Sequence, residues 1–260
     1  MRSTDLSIGI VGYGKVGKAL VHGLSSAGVQ VKVIISRSSP ALKKEESFTD
    51  WTYFKHTDDV TSPSPDLWII CVPDDSIAEV VRSIATRYPD TWMAHTSGGF
   101  DTLALIDEFP GLGVFYPLQS FSDKKIPDWQ SIPICIQAEH KELESHLTQL
   151  ASLLSLCVYK VAEADRVYLH LAAVFINNFT NAMCQIANDV LASRDLPFEL
   201  VQPLLLETAE KLKILTPLEA QTGPAIRNDQ STILKHRQLL DQYPKIYGEI
   251  YQIITQFIQK

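Results

Sequence analysis

The chain has 260 residues, 45% hydrophobic and 20% charged, a length and balance that suit two globular domains with buried cores. Its formal net charge of −7 excludes tracking of a nucleic-acid backbone, which needs clustered lysine and arginine. No segment approaches the ~18 consecutive apolar residues of a membrane span. The first dozen residues lack a basic stretch followed by an apolar one, so no signal peptide is expected.

In chain order, residues 6–12 read as a strand, 14–28 as a helix closed by Gly28, and 29–37 as a second strand. Residues 66–73 form a strand ended by Pro73, 75–88 a helix, and 92–96 a strand running into Ser97-Gly98-Gly99. Further strands are expected at 111–118, 132–138 and 156–162, with an amphipathic helix at 140–155. Residues 39–60 and 120–130 read as loops with short elements. Strands alternating with helices imply a parallel, doubly wound sheet.

From residue 163 onward no strand is convincing. Residues 165–193 read as one long helix, with others at 198–215, 230–242 and 245–259, punctuated by Pro197, Pro217, Pro224 and Pro244. The expected fold is therefore α/β, with an N-terminal Rossmann domain over 1–162 and an all-helical domain over 163–260 that carries substrate binding and dimerisation. Cys71, Cys135, Cys157 and Cys184 form no CxxC pair and read as free thiols in a reducing cytoplasm. No metal site is expected.

Gly12-Tyr13-Gly14-Lys15-Val16-Gly17 is a GxGxxG turn between the first strand and the first helix, the context in which that pattern binds a dinucleotide. Gly12 allows the tight turn, Gly14 lets the backbone approach a diphosphate, and Gly17 lets helix pack on strand. The helix N-terminus then faces the diphosphate with its free N–H groups. The second strand ends in Ser36-Arg37-Ser38 instead of an acidic residue. Arg37 can pair with a 2′-phosphate and the serines can donate to it, so NADP is expected over NAD. Val72 and Pro73 end a strand where it would meet the cofactor, while Asp74 or Asp75 reads as a helix cap.

His95 and Ser97 follow a strand at the edge where open α/β sheets bind ligands. His95 is a candidate proton donor, Ser97 a candidate partner for a substrate oxygen, and Gly98 leaves room for nicotinamide or substrate. Tyr116 and Gln119 end the next strand as candidate pocket liners. On the long helix, His170, Asn177, Asn181 and Asn188 fall within about 20° of one line at 100° per residue. The helix is otherwise apolar around most of its circumference, which predicts deep burial, and its polar stripe then needs a ligand or a second helix as partner. Asn178 is a further substrate-binding candidate. In the loop 222–229, Arg227 can hold a carboxylate and Asn228 or Asp229 can cap the helix that carries His236.

Together, GYGKVG, HTSGGF, FYPLQSF, HLAAVFINNF and TGPAIRND resemble the Rossmann-like and DUF2520 domain-containing proteins over essentially the whole chain. That group is similar to ketopantoate reductase, pyrroline-5-carboxylate reductase and β-hydroxyacid dehydrogenases. The resemblance implies hydride transfer in a cleft between a Rossmann and a helical domain, and often a dimer. One departure stands out. The lysine that precedes the helix asparagine by one turn in those dehydrogenases is replaced, since Ala173 precedes Asn177 and Val174 precedes Asn178. The expected activity is NADP(H)-dependent reduction of a small carbonyl or imine, with His95 or His170 as acid, Asn177 as orienter and Arg227 as anion anchor. A non-catalytic NADP-binding regulator is the alternative. A homodimer through the helical domain is expected, with neither nucleic acid nor membrane as partner.

Overall fold

The computed structural model describes residues 6–37, 51–61 and 63–260. The first elements are β1 (Ile8–Val11), α1 (Lys15–Ser26), β2 (Val31–Ile35), β3 (Thr52–Phe54), β4 (Leu67–Ile70), α2 (Asp74–Arg87) and β5 (Trp92–His95). They are followed by α3 (Leu103–Ile106), β6 (Leu112–Pro117), β7 (Ile134–Ala138), α4 (Lys141–Leu154) and β8 (Val158–Lys160).

The strands form one sheet in the order β3-β2-β1-β4-β5-β6-β7-β8. Central strands such as IGIV and LWII are buried at every position, because helices cover both faces. On one face Leu20 and Leu24 of α1 and Leu143 and Leu147 of α4 pack on Ile10 and Ile134. On the other, Ile77, Val81 and Ile84 of α2 pack on Val33 and Ile70. All neighbouring strands are parallel except β6 and β7, which pair antiparallel with Pro117 opposite Ile134. The alternation of elements had implied parallel pairing throughout. A loop of sixteen residues, 118–133, joins β6 to β7 without a crossover helix, which is what lets the chain return antiparallel. The strand β3 is one of the short elements expected within the loop at residues 39–60.

The chain divides into two compact units, residues 1–177 and 178–260, so the expected division at 162/163 falls inside the first unit. The long helix is α5 (Glu163–Ala173), a π-helical turn (Val174–Phe179) and α6 (Thr180–Ala192). The π turn carries an i→i+5 ladder and adds about one residue per turn, which rotates everything after it. The polar stripe drawn at 100° per residue therefore does not continue unbroken from His170 and Asn177 to Asn181 and Asn188. Deep burial is not what the chain shows either: Arg166 is the buried residue of α5, and Tyr168 and Ile176 are 74% and 73% exposed.

The second unit continues with α7 (Gln202–Lys211), α8 (Gln230–Leu240) and α9 (Lys245–Ile258). Asp229 caps α8, its carboxylate accepting from the Thr232 N–H at 3.1 Å. Ala225 and Ile233 are the buried residues of this unit among those described.

Candidate functional site

The order of the sheet reverses around β1, so the carboxyl ends of β1, β2 and β4 open onto a crevice. A cleft of 520 Å³ lies there. Of the expected cofactor residues, Gly12, Tyr13, Gly14, Ser36, Arg37, Val72 and Pro73 line it. Gly12 has φ +96°, a conformation an L-residue avoids, and a Cβ there would strike the Cys71 carbonyl oxygen. Gly17 lies directly beneath the Gly12 carbonyl, so the helix starts hard against the turn. Lys15 and Val16 open α1 beside the cleft without lining it. Ser38 lies outside the described residues.

The N-terminus of α1 has no side-chain cap and no acidic residue in its first turn. Gly14, its N-cap, has nothing within 4 Å of where a Cβ would stand. Open space before uncapped N–H groups at the positive end of a helix fits a dinucleotide diphosphate. Cys71 also lines the cleft, but burial pushes its thiol up to about 12, so it stays protonated and is no nucleophile.

His95 at the end of β5 is fully buried. Its Nδ1 accepts from the Ser97 N–H at 3.2 Å, so the proton sits on Nε2 and is donated to Thr102 Oγ1 at 2.7 Å. Burial, with the charge of Arg166 behind it, lowers the His95 pKa to about 3. A neutral ring with both nitrogens engaged in the interior has no proton to deliver to the cleft. The Ser97 hydroxyl oxygen accepts from the N–H groups of Gly99 and Phe100 at 3.0 and 2.9 Å, which ties the glycine turn together. Gln119 is exposed, and its Oε1 accepts from the Ser120 N–H in a local loop bond.

Gly98, Tyr116 and His170 do come together. His170 Nδ1 lies 3.2 Å from the Tyr116 hydroxyl, and a Cβ on Gly98 would stand 2.7 Å from His170 Nδ1 and from the Tyr116 ring. Only a glycine admits both side chains there. Burial first, then nearby Cys135 and Asp74, raise the Tyr116 pKa to about 12, so it remains a phenol. Asp74 is the first residue of α2, whose N-cap is Pro73, and its Oδ2 lies 3.6 Å from the position a Gly99 Cβ would take. Asn177 and Asn178 are exposed in the π turn. Arg227 is exposed on its loop in the second unit, where its charge contributes to holding Asp229 at about 2, behind the larger effect of the Thr232 hydrogen bonds.

Two side chains that the sequence did not single out hold this arrangement. Arg166 is fully buried and donates to Gln137 Oε1 at 2.5 Å, Phe100 O at 2.8 Å, Thr102 Oγ1 at 3.0 Å and Glu163 Oε2 at 3.3 Å. Glu163 Oε2 in turn accepts from the N–H groups of Thr102 and Leu103 at 2.8 and 3.2 Å, capping α3. The available signal was an acidic and a basic residue three apart at a helix start, followed by His170 one turn later. Among the described residues no cluster of three or more His, Cys, Asp or Glu has the spacing of a metal site.

The sequence matches a Rossmann-like domain over residues 1–110 and the domain of unknown function DUF2520 over residues 132–258. A Bacteroides fragilis protein provisionally named an NADP oxidoreductase is 33% identical, with 98% of each chain covered and a TM-score of 0.90. A Thermotoga maritima protein is 20% identical over 97% of this chain and 100% of its own, at a TM-score of 0.76. Pyrroline carboxylate reductase of Plasmodium falciparum, solved with NADP bound, is 13% identical over the full length of both chains, at a TM-score of 0.63. The last two likenesses speak to the fold. No curated protein matches the sequence.

Proposed function

This chain belongs to the family of Rossmann-like and DUF2520 domain-containing proteins, and on that premise we propose that it is an NADP(H)-dependent oxidoreductase acting on a small carbonyl or imine compound. The observation that carries the proposal is the pairing of His170 with Tyr116 over Gly98, at the same sheet edge as the cleft lined by the glycine turn. The nicotinamide, when bound, supplies the hydride. Arg37 favours the 2′-phosphorylated form, and the NADP named for two of the similar proteins supports that choice.

The proton is assigned to His170 and not to His95, which is sealed in the interior. In its protonated form His170 donates from Nδ1 to the hydroxyl oxygen of Tyr116, which stays a phenol, and from Nε2 to the carbonyl oxygen or imine nitrogen; transfer of the Nε2 proton leaves a neutral imidazole. Asn177 orients the substrate from the π turn, a type of helix irregularity that recurs at functional sites. The four cysteines are free, which fits a reducing compartment, and the proposed location is the cytoplasm. No helix is long and apolar enough to cross a membrane among the described residues.

We further propose a homodimer. The 178–260 unit leaves Leu204, Leu206, Ile253 and Phe257 between 64% and 77% exposed, while burying two residues. A helical unit of this size needs a larger core than that, and a second copy of the same faces would supply it.

The test follows reduced nicotinamide absorbance with purified protein, NADPH and a panel of oxo acids, ketones and cyclic imines. Turnover of at least one compound is expected, with His170→Ala lowering it about 10²–10⁴-fold and leaving NADPH affinity unchanged. Full activity in that variant defeats the assignment. Ala173 and Val174, which stand where the similar dehydrogenases place a lysine, favour a second reading as a non-catalytic NADP-binding regulator. Tight NADPH binding with no turnover across the panel selects it.

A further inference from the structure

The ends of β2 and β3 form a second cationic edge of the cleft. The two strands run parallel with Ile35 opposite Phe54. Beyond that pair, the Ser36 N–H donates to the Phe54 carbonyl at 3.1 Å, and the Tyr53 hydroxyl donates to the Ser36 carbonyl at 2.5 Å. The register therefore brings Arg37, just past β2, beside Lys55 and His56, just past β3, and all three line the cleft.

The segment after β3 is anchored at several points. The His56 N–H donates to Asp59 Oδ2 at 3.0 Å, and the Asp59 N–H donates to the His56 carbonyl at 3.2 Å. Thr57 Oγ1 bonds Ser83 Oγ on α2 at 2.5 Å, and Arg87 Nη2 donates to the Val60 carbonyl at 2.6 Å. A histidine ring carries at least one N–H, so His56 can act as a donor where it lines the cleft.

Charge balance gives these groups a task. Asp58 and Glu79 line the same cleft, and two carboxylates offset two cations. A phosphate monoester brings about −1.5 to −2 more at neutral pH. Arg37 as a single cation would leave that phosphate facing a surplus of negative charge, and it needs a second cation and a further donor beside it. We propose that Lys55 and His56 read the adenosine 2′-phosphate together with Arg37, so that discrimination between NADP(H) and NAD(H) is shared by the ends of two strands. The inference rests on the NADP reading above and assigns it residues that the glycine turn and the second strand do not contain.

The test is a titration of NADPH and NADH, each followed by calorimetry, into wild type, Lys55→Ala, Lys55→Glu and His56→Asn. Thermal melts check that each variant is folded. Lys55→Ala is expected to weaken NADPH about tenfold or more, the scale of a lost charge-assisted hydrogen bond, with NADH changed less than twofold. Lys55→Glu should narrow or reverse the preference, and His56→Asn should weaken NADPH selectively. Unchanged NADPH affinity in the Lys55 variants, or equal losses for both cofactors, overturns this inference and leaves the NADP reading standing. A wild type that binds NADH as tightly as NADPH overturns the NADP reading itself.

Discussion

Arg166 and His170 stand one turn apart on α5, the first fully buried under the 96–102 turn and the second exposed at its glycine. The same helix face thus fixes the turn and presents a side chain to it. Replacing Arg166 by methionine removes four hydrogen bonds and strands the acceptors of Gln137 and Phe100. Breaking a buried pair of this kind costs about 3–5 kcal/mol. Urea unfolding of the variant should show a loss on that scale, and a loss under about 1 kcal/mol would contradict the role given to Arg166.

Two glycine variants separate the cofactor turn from the fold. Gly14 has ordinary backbone angles (φ −79°) and open space around it, so Gly14→Ala should keep its melting temperature while losing at least tenfold in NADPH affinity, because the methyl occupies the place of the diphosphate. Gly98→Ala should do the reverse in part: the methyl meets His170 and Tyr116 and costs about 1–3 kcal/mol by overpacking. Thermal melts and fluorescence titrations read both.

His95 sets a pH dependence of stability. Its native pKa is about 3, well under the ordinary value of 6.5. As the pH falls through 6.5 toward 3, the unfolded chain takes up a proton at this residue that the native state refuses, so acid favours unfolding and the contribution is restored above 6.5. The expected slope is at most about 1.4 kcal/mol per pH unit. Urea midpoints from pH 7 to pH 4 should fall in wild type and fall less in His95→Gln, which keeps polar atoms in the site but does not titrate.

The apolar face of α9 is the place to test assembly. Ile246, Ile253 and Phe257 are spaced seven and four residues apart and are all exposed. Light scattering should give a dimer mass for wild type and a monomer mass for the Ile253→Glu, Phe257→Glu double variant. A monomeric wild type at tens of micromolar removes the proposed dimer.

Much of the first unit was legible from residue order because its signals are local. The IGIV and LWII runs, the glycine turn and the proline after Val72 each specify an element within a few residues. What escaped depends on partners far away in sequence. The three residues of β3 become a strand only by pairing with β2, and a run that short, inside a stretch read as a loop with short elements, carries no periodicity of its own. His95 looked like a proton donor because its position at a strand end is right; its rotation inward toward Thr102 is set by Arg166, seventy-one positions on. The π turn could not be read from a pattern that assumes 100° per residue, and it is where the expected polar stripe breaks.

The reversal at β7 has a directional consequence. Since β7 runs against β6 and β8 runs with β7, the chain leaves the sheet travelling away from the edge where β1, β4 and β5 end. The next helix must turn back, climbing from Gln137 at Arg166 to the Tyr116 hydroxyl at His170. Had that strand followed its neighbours, the helix would have departed from the ligand-bearing rim and carried its imidazole to the opposite end of the domain. A single hairpin thus delivers a side chain from beyond the last strand to the mouth built by the first.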